Sequence, residues 1–202
     1  MIEFRQFCEE FTPTPEAVRR MGDWLVSRVE TRLGISMSGI TFKAVSEITD
    51  KKFLSALKWF FGPGGQRAKG RPSNFPAEKI GPAFTMMDDN TVYVNTGYGG
   101  FRDIGFLKFT IAHEIGHHIF EYYQEHGKLP EKFSYVQTVM GREISHSKSM
   151  WPNVGSWNYK DRTENLADAF GRYIAGEKLN EKERLAMEKI TGRSIREAAG
   201  EV

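Results

Sequence analysis

The sequence predicts an α+β domain that is mainly helical. Several segments carry apolar residues at helical spacing behind good capping residues, whereas only two regions have the alternation or turn residues of strands. Apolar residues make up 40% of the chain and aromatic residues 13%, which favours a packed core over a disordered chain. Since 202 residues suit one core, we expect a single domain over residues 1–202, with an N-terminal lobe over 1–82 and the other elements over 83–202.

Each predicted helix begins at a residue whose side chain can accept a backbone N–H of the first turn. The first helix also has Pro15 in its first turn, and its apolar residues recur until a glycine ends it. The last helix has a glutamate three residues after its capping asparagine, as in a capping box. The expected bounds are Thr14 to Gly34, Thr49 or Asp50 to Phe61, Asp103 to about residue 126, Asp161 onwards, and Asn180 onwards.

Strands are expected in two places. Residues 40–45 alternate like a half-buried strand, and Phe84–Met87 and Thr91–Asn95 flank a short polar turn, which predicts a β-hairpin. Residues 62–82 are rich in glycine, proline and basic side chains, so we expect a long loop that is either functional or a plain connector. Residues 128–160 are also expected to be rich in loops.

The most informative stretch is T-I-A-H-E-I-G-H-H-I-F, residues 110–120. On a helix, His113 and His117 project from the same face, and Glu114 lies about 100° round from His113. This HExxH pattern suits catalytic zinc, which needs nitrogen or carboxylate ligands, a position for water and a nearby base. The alternative, a histidine-rich surface helix, is less favoured because the flanking residues are apolar and unpaired burial would be costly. Gly116 lowers the stability of the helix by about 1 kcal/mol relative to alanine. A glycine at this position makes sense if something packs closely there or needs access to the metal.

A third ligand is expected from T-E-N-L-A-D-A-F, where Glu164 and Asp168 share a helical face. Glu164 would complete the coordination, and Asp168 would accept the second ring N–H of a ligating histidine. The alternative is an acidic first turn that only complements the helix dipole. His118 points about 100° away from His117 and is expected to be a core or supporting group around the site. Other candidates for the third ligand are His146, Glu143 and His126.

H-E-I-G-H-H followed by E-N-L-A-D-A-F resembles the gluzincin branch of the zincin metallopeptidases, with matches at His113, Glu114, His117, Glu164 and Asp168. Over roughly residues 83–175 the chain is also similar to lethal-factor-like, Pro-Pro-endopeptidase-like and phage- or toxin-associated metallopeptidase domains. The resemblance implies a zincin-like fold with a small mixed sheet beside the motif helix. It also implies one Zn²⁺ ion and zinc-dependent endopeptidase activity.

The mechanism that the resemblance implies uses zinc-activated water, with Glu114 as the general base. A hydrogen-bond donor should stabilise the oxyanion. Lethal-factor-like enzymes have a tyrosine seven positions before the glutamate ligand, where this chain has Trp157. Tyr159 is therefore the first candidate for the donor, followed by His146 and Tyr135.

The resemblance also implies that the strand Thr91–Asn95 lies at the edge of the sheet beside the motif helix. An extended peptide substrate could then pair with it by strand addition, which would make Thr91, Tyr93 and Asn95 substrate-binding residues. Loop 62–82 and the segment Met150–Tyr159 would flank the cleft.

Partners and location are bounded by composition. A formal net charge of +2 argues against nucleic acid as a partner, and no apolar run approaches the roughly 20 residues of a membrane helix. We therefore expect a protein or peptide substrate, and a protein that is cytoplasmic as synthesised, since the N-terminus lacks signal-peptide features. Export by a dedicated system or association with a virion stays open. Cys8 is the only cysteine, which excludes an internal disulfide.

Two other classes of protein remain open. The zinc could serve structure or binding alone, which predicts a closed fourth coordination position. Alternatively, the domain could be the regulatory part of a DNA-linked protein, although residues 1–60 show no convincing helix-turn-helix.

Overall fold

The computed structural model describes residues 12–61, 82–98, 101, 103–128, 137–139, 142–145 and 162–195. This part of the chain is α+β, as the sequence predicts, with five α-helices, five strands and one 3₁₀ turn. In chain order these are α1 Pro15–Leu33, β1 Thr41–Ala44, the 3₁₀ turn Val45–Glu47, α2 Lys51–Phe61, β2 Ala83–Met86, β3 Thr91–Val94, α3 Ile104–Glu125, β4 Gln137–Val139, β5 Arg142–Ser145, α4 Arg162–Ala175 and α5 Glu181–Thr191. None of the helices in these ranges is both long enough and apolar enough to cross a membrane.

The capping residues set the helix bounds as the sequence predicts. The side chains of Thr14 and Asp103 each accept the backbone N–H three residues further on, at the starts of α1 and α3. Asn180 and Glu183 form the expected capping box at the start of α5. Gly34 ends α1 with φ 66°, a conformation that glycine adopts without strain. Asp161, the expected cap of α4, lies outside the described residues.

The strands form one mixed sheet in the order β1-β3-β2-β5-β4. β1 and β3 are parallel, and the other neighbouring pairs are antiparallel. The expected edge position of Thr91–Asn95 is therefore wrong, because β3 pairs with β1 on one side and with β2 on the other. Strands β4 and β5 lie within residues 128–160, the segment expected to be rich in loops.

Helices cover both faces of the sheet, and the alternation of side chains along the strands explains why. Val92 and Val94 of β3 face the main core, which α1, α3 and α4 also line. Between them, Tyr93 faces the other way and stacks on Phe84, with a ring-centroid distance of 5.3 Å, in a second cluster built on α2. The side chain of Tyr93 thus lies on the opposite face of the sheet from α3. Neither its position nor that of β3 supports the expected substrate-binding role of this strand.

The sheet also carries the contacts of the other two residues predicted to bind substrate. The hydroxyl of Thr91 lies 2.9 Å from that of Thr41 across the parallel β1–β3 pair. Asn95 is buried at the end of β3, where its backbone N–H donates to the carbonyl of Pro82. Both residues contribute to holding the sheet together in this structure.

Gly22 allows α1 to lie against the sheet, and we expect Gly22→Ala to destabilise the protein. A Cβ at this position would meet the ring of Phe42 at 2.2 Å. Helix propensity alone would favour alanine by about 1 kcal/mol, but overpacking a filled core costs about 1–3 kcal/mol. The free energy of unfolding, measured by urea denaturation, should therefore fall. Gly39→Ala is the control, because its Cβ would meet only Asn90 Nδ2, at 3.9 Å; equal stability of all three proteins would contradict the packing argument.

Candidate metal centre

Helices α3 and α4 run antiparallel and touch through their backbones. A Cβ on Gly116 of α3 would lie 2.2 Å from the carbonyl oxygen of Ala167 on α4. One turn away, a Cβ on Gly171 of α4 would lie 2.9 Å from the carbonyl group of Ala112 on α3. Ala112 and Gly116 are four residues apart on α3, and Ala167 and Gly171 are four residues apart on α4, so each pair lies on one face of its helix. We call these four residues, Gly116, Ala167, Gly171 and Ala112, the close-contact row.

The predicted site residues lie directly beside this row. His113 and His117 stand four apart on α3, and Glu164 and Asp168 stand four apart on α4, so that each pair follows one face of its helix. His113 Nε2 lies 3.1 Å from His117 Nε2 and 3.4 Å from Glu164 Oε2. His117 Nε2 lies 3.8 Å from Glu164 Oε1. The structure therefore brings the three predicted ligands together as a group that could hold a metal ion.

The donor geometry of this group fits a small divalent cation. Ligand atoms about 2.0–2.1 Å from a tetrahedral ion lie roughly 3.3–3.4 Å from one another. The shortest separations of 3.1, 3.4 and 3.8 Å bracket this value, and the last two involve different oxygens of Glu164. With one ligand atom per residue, the three atoms lie within 4.8 Å of one another, close enough to hold one ion. Both histidines are 2% exposed and Glu164 is 16% exposed, so the site is shielded from solvent.

Asp168 orients the first histidine. Its Oδ1 lies 2.5 Å from His113 Nδ1, so the ring can donate from Nδ1 and present Nε2 to His117 and Glu164. Burial alone would lower the pKa of His113, but the hydrogen bonds and charges of Asp168 and Glu164 outweigh it and raise that pKa well above the usual value. The negative charge that holds a proton on this ring would equally attract a metal cation.

Glu114 is buried beside the ligand group, with 2% of its surface exposed. Within the described residues, its Oε2 accepts no hydrogen bond. Burial raises the pKa of Glu114 to about 8; the charge of His113 opposes this rise, and the charge of Glu164 adds to it. The sheet also contacts Glu114, because Thr85 Oγ1 on β2 donates to the backbone carbonyl of Glu114 at 3.4 Å. A buried carboxyl with one unengaged oxygen can exchange a proton with a group in the site.

The remaining predicted residues lie elsewhere or outside the described ranges. His118 is buried outside the ligand group; burial lowers its pKa to about 4, against the opposing charge of Asp89 in the β2–β3 turn, as for a core histidine. His126 is exposed at the end of α3, where its ring stacks on Tyr122. Outside the described residues lie Cys8, Tyr135, His146, Trp157, Tyr159, the side chain of Glu143, the loop residues 62–81 and the segment Met150–Tyr159.

Three cations secure the far end of α4, and the sequence analysis did not anticipate them. Arg28 and Arg32 of α1 donate to the carbonyls of Ile174 and Tyr173, respectively, each at 2.6 Å. Lys108 of α3 donates to the carbonyl of Ala175 at 3.3 Å. Cations at a helix C-terminus bind its unsatisfied carbonyls and oppose its negative dipole end. The four-residue spacing of Arg28 and Arg32 was the available signal, but it does not identify the helix that they contact.

Comparisons with protein-family models, curated proteins and solved structures gave no match for this chain. The assignment of a metal centre therefore rests on the geometry of α3 and α4.

We expect Zn²⁺ to stabilise the protein through this group. At a free concentration 100 times the dissociation constant, binding to the folded state alone adds about 2.7 kcal/mol to the free energy of unfolding. Glu164→Gln should bind more weakly, because a neutral amide oxygen replaces the carboxylate. His126→Asn is the matched control, since it removes a histidine outside the group. Calorimetric unfolding with and without Zn²⁺ measures the effect, and equal stabilisation of wild type and Glu164→Gln would argue against this ligand.

Removal of the carboxylate at residue 168 should weaken metal binding without removing a ligand. Loss of a side chain that orients a ligating histidine typically costs about 10–100-fold in metal affinity. We expect a loss of that size for Asp168→Ala and a smaller one for Asp168→Asn, whose amide oxygen can still accept the N–H of His113. Competition with a chromophoric chelator would measure both affinities. The orienting role would be excluded if Asp168→Ala bound Zn²⁺ as tightly as wild type.

Proposed function

We propose that this chain is a zinc-dependent endopeptidase with a zincin-like fold. The observation that carries the proposal is the convergence of His113, His117 and Glu164 from two helices, with Glu114 buried beside them. The resemblance of the two motifs to gluzincin peptidases supports the same activity. A protein or peptide is the proposed substrate.

The donor set supports zinc as the metal. Two imidazole nitrogens and one carboxylate oxygen are ligands that zinc accepts, and catalytic zinc sites commonly have three protein ligands and one position for water or substrate. Structural zinc sites, in contrast, usually have four protein ligands. The group formed by the described residues has three members, which favours the catalytic class.

Each residue of the site then has a distinct task. When bound, the zinc would supply Lewis-acid polarisation of the peptide carbonyl and acidify the attacking water. With a cation bound beside it, Glu114 would be ionised, and it would take the proton of that water and pass it to the leaving amine. Asp168 would keep Nε2 of His113 directed at the ligand group. The donor that stabilises the oxyanion stays a prediction, with Tyr159 as the first candidate.

Substrate binding needs a different account from strand addition at β3, whose two sides are both paired. Phe109 is a partly buried side chain one turn before His113, with a ring-centroid distance of 6.4 Å. It lies on the same face of α3 as the two ligating histidines. We therefore place an apolar contact with the substrate at this ring, on the α3 side of the sheet.

The decisive variant is Glu114→Gln, which keeps the shape of the side chain and removes its basicity. We expect unchanged zinc content and a fall in kcat of about 10²–10⁴-fold, because general acid–base catalysis contributes that much. Cleavage of an unfolded-protein or peptide library, read by mass spectrometry, gives the activity, and atomic absorption gives the metal content.

Glu125→Gln is the control, because Glu125 is exposed at the end of the same helix. Cleavage by Glu114→Gln at the wild-type rate would overturn the mechanism. If wild type binds zinc tightly but cleaves no peptide in the library, the protein is the non-catalytic zinc-binding domain that the sequence left open.

A further inference from the structure

We infer that Gly116 and Gly171 are positioning residues of the metal centre. They set the distance between α3 and α4 at which Glu164 and Asp168 reach the two histidines. This inference rests on the zinc binding contained in the proposed function, and it does not depend on peptide hydrolysis.

The atoms that face these glycines cannot move aside by themselves. A Cβ on Gly116 would lie 2.2 Å from the carbonyl oxygen of Ala167 and 2.8 Å from its carbonyl carbon and Cα. A Cβ on Gly171 would lie 2.9 Å from the carbonyl group of Ala112 and from the backbone nitrogen of His113. All of these are backbone atoms of a facing helix, so a side-chain rotation cannot relieve the contact. An alanine at either position must push the helices apart.

The close contact lies in the middle of the site. Gly116 stands between His113 and His117 along α3, and its partner Ala167 stands between Glu164 and Asp168 along α4. Helices are stiff over one turn, because each backbone group is hydrogen-bonded within the helix. A separation at Gly116 would therefore move both carboxylates away from both imidazoles.

The size of that movement decides the outcome. Cβ contacts under 3.0 Å essentially never occur, so in Gly116→Ala the distance from the new Cβ to the carbonyl oxygen of Ala167 must grow by about 0.8 Å from 2.2 Å. Distances between a metal and its ligands vary by only about 0.2 Å. A displacement several times that tolerance would take Glu164 out of coordination range and lengthen the 2.5 Å contact between Asp168 and His113. Gly171→Ala needs a smaller shift: its contacts at 2.9 Å are about 0.5 Å short of ordinary van der Waals contact at 3.4 Å, which still exceeds that tolerance.

A purely structural role for Gly116 makes a different prediction. In that case Gly116→Ala would lower the stability of the metal-free protein, but its folded molecules would bind Zn²⁺ normally. Gly22 provides the matched control, because it is also a glycine within a helix and a Cβ there would also meet its neighbour at 2.2 Å. That neighbour is the ring of Phe42 on β1, so the strain arises in the α1–β1 contact, outside the close-contact row between α3 and α4.

The experiment compares wild type with Gly116→Ala, Gly171→Ala and Gly22→Ala. Competition with a chromophoric chelator gives the Zn²⁺ dissociation constant, at a temperature where circular dichroism shows each protein to be folded. Urea denaturation without metal gives the stability of each protein. We expect Gly116→Ala to bind Zn²⁺ at least about 10–100-fold more weakly than wild type, as for loss of a side chain that orients a ligand. The affinity of Gly171→Ala for Zn²⁺ should lie between those of Gly116→Ala and wild type. Gly22→Ala should be less stable than wild type but equal to it in affinity.

Each result has a defined meaning. Wild-type affinity in folded Gly116→Ala would overturn this inference alone, as would an equal loss of affinity in Gly22→Ala. If Gly116→Ala does not fold, Gly171→Ala decides, and wild-type affinity there would overturn the inference. No Zn²⁺ binding by wild type would overturn both the inference and the proposed function.

Discussion

The backbone contact between Gly116 and Ala167 is the constraint on which the rest of the site depends. Helices with side chains between them usually lie 8–10 Å apart, and only small residues allow backbones to come closer. Once the helices touch at this row, the neighbouring faces bring two imidazoles and two carboxylates into contact distance. Two antiparallel helices with four-residue spacings thus supply three candidate ligands and the side chain that orients one of them.

A close contact between two helices fixes the site only if the helices are held along their lengths. The three cations at the C-terminus of α4 hold one end of that helix against α1 and α3. In its last turns, Arg172 donates to the buried carboxylate of Glu183 on α5 at 2.9 Å. Glu164 stands in the first turn at the opposite end, where the positive end of the helix dipole favours a negative charge. The acidic first turn and the ligand role are therefore compatible explanations of the same residue.

The elements that the sequence predicted well are those whose signals are local. The caps at Thr14, Asp103 and Asn180 and the β2–β3 hairpin depend on residues a few positions apart. The pairing of His113 with His117 was also predictable, because side chains four residues apart share a helical face. Glu164 was expected from its own four-residue pairing with Asp168 and from the resemblance of the two motifs to gluzincins. The edge position of β3 was wrong because strand order depends on partners that are distant in sequence. Strand β1 precedes β3 by some fifty residues, and no turn signal connects them.

Helix α3 is held from both sides, and this links the base of the proposed reaction to the ligands. On the sheet side, Thr85 of β2 contacts the backbone of Glu114; on the other side, Gly116 contacts α4 two residues later. Glu114 lies where α3 packs against the sheet, whereas the ligand group lies where α3 packs against α4. Only the packed domain brings these two contacts together, because each is formed by segments distant in sequence. Burial of Glu114, which raises its pKa, and the approach of Glu164 to the histidines are thus consequences of the same packing.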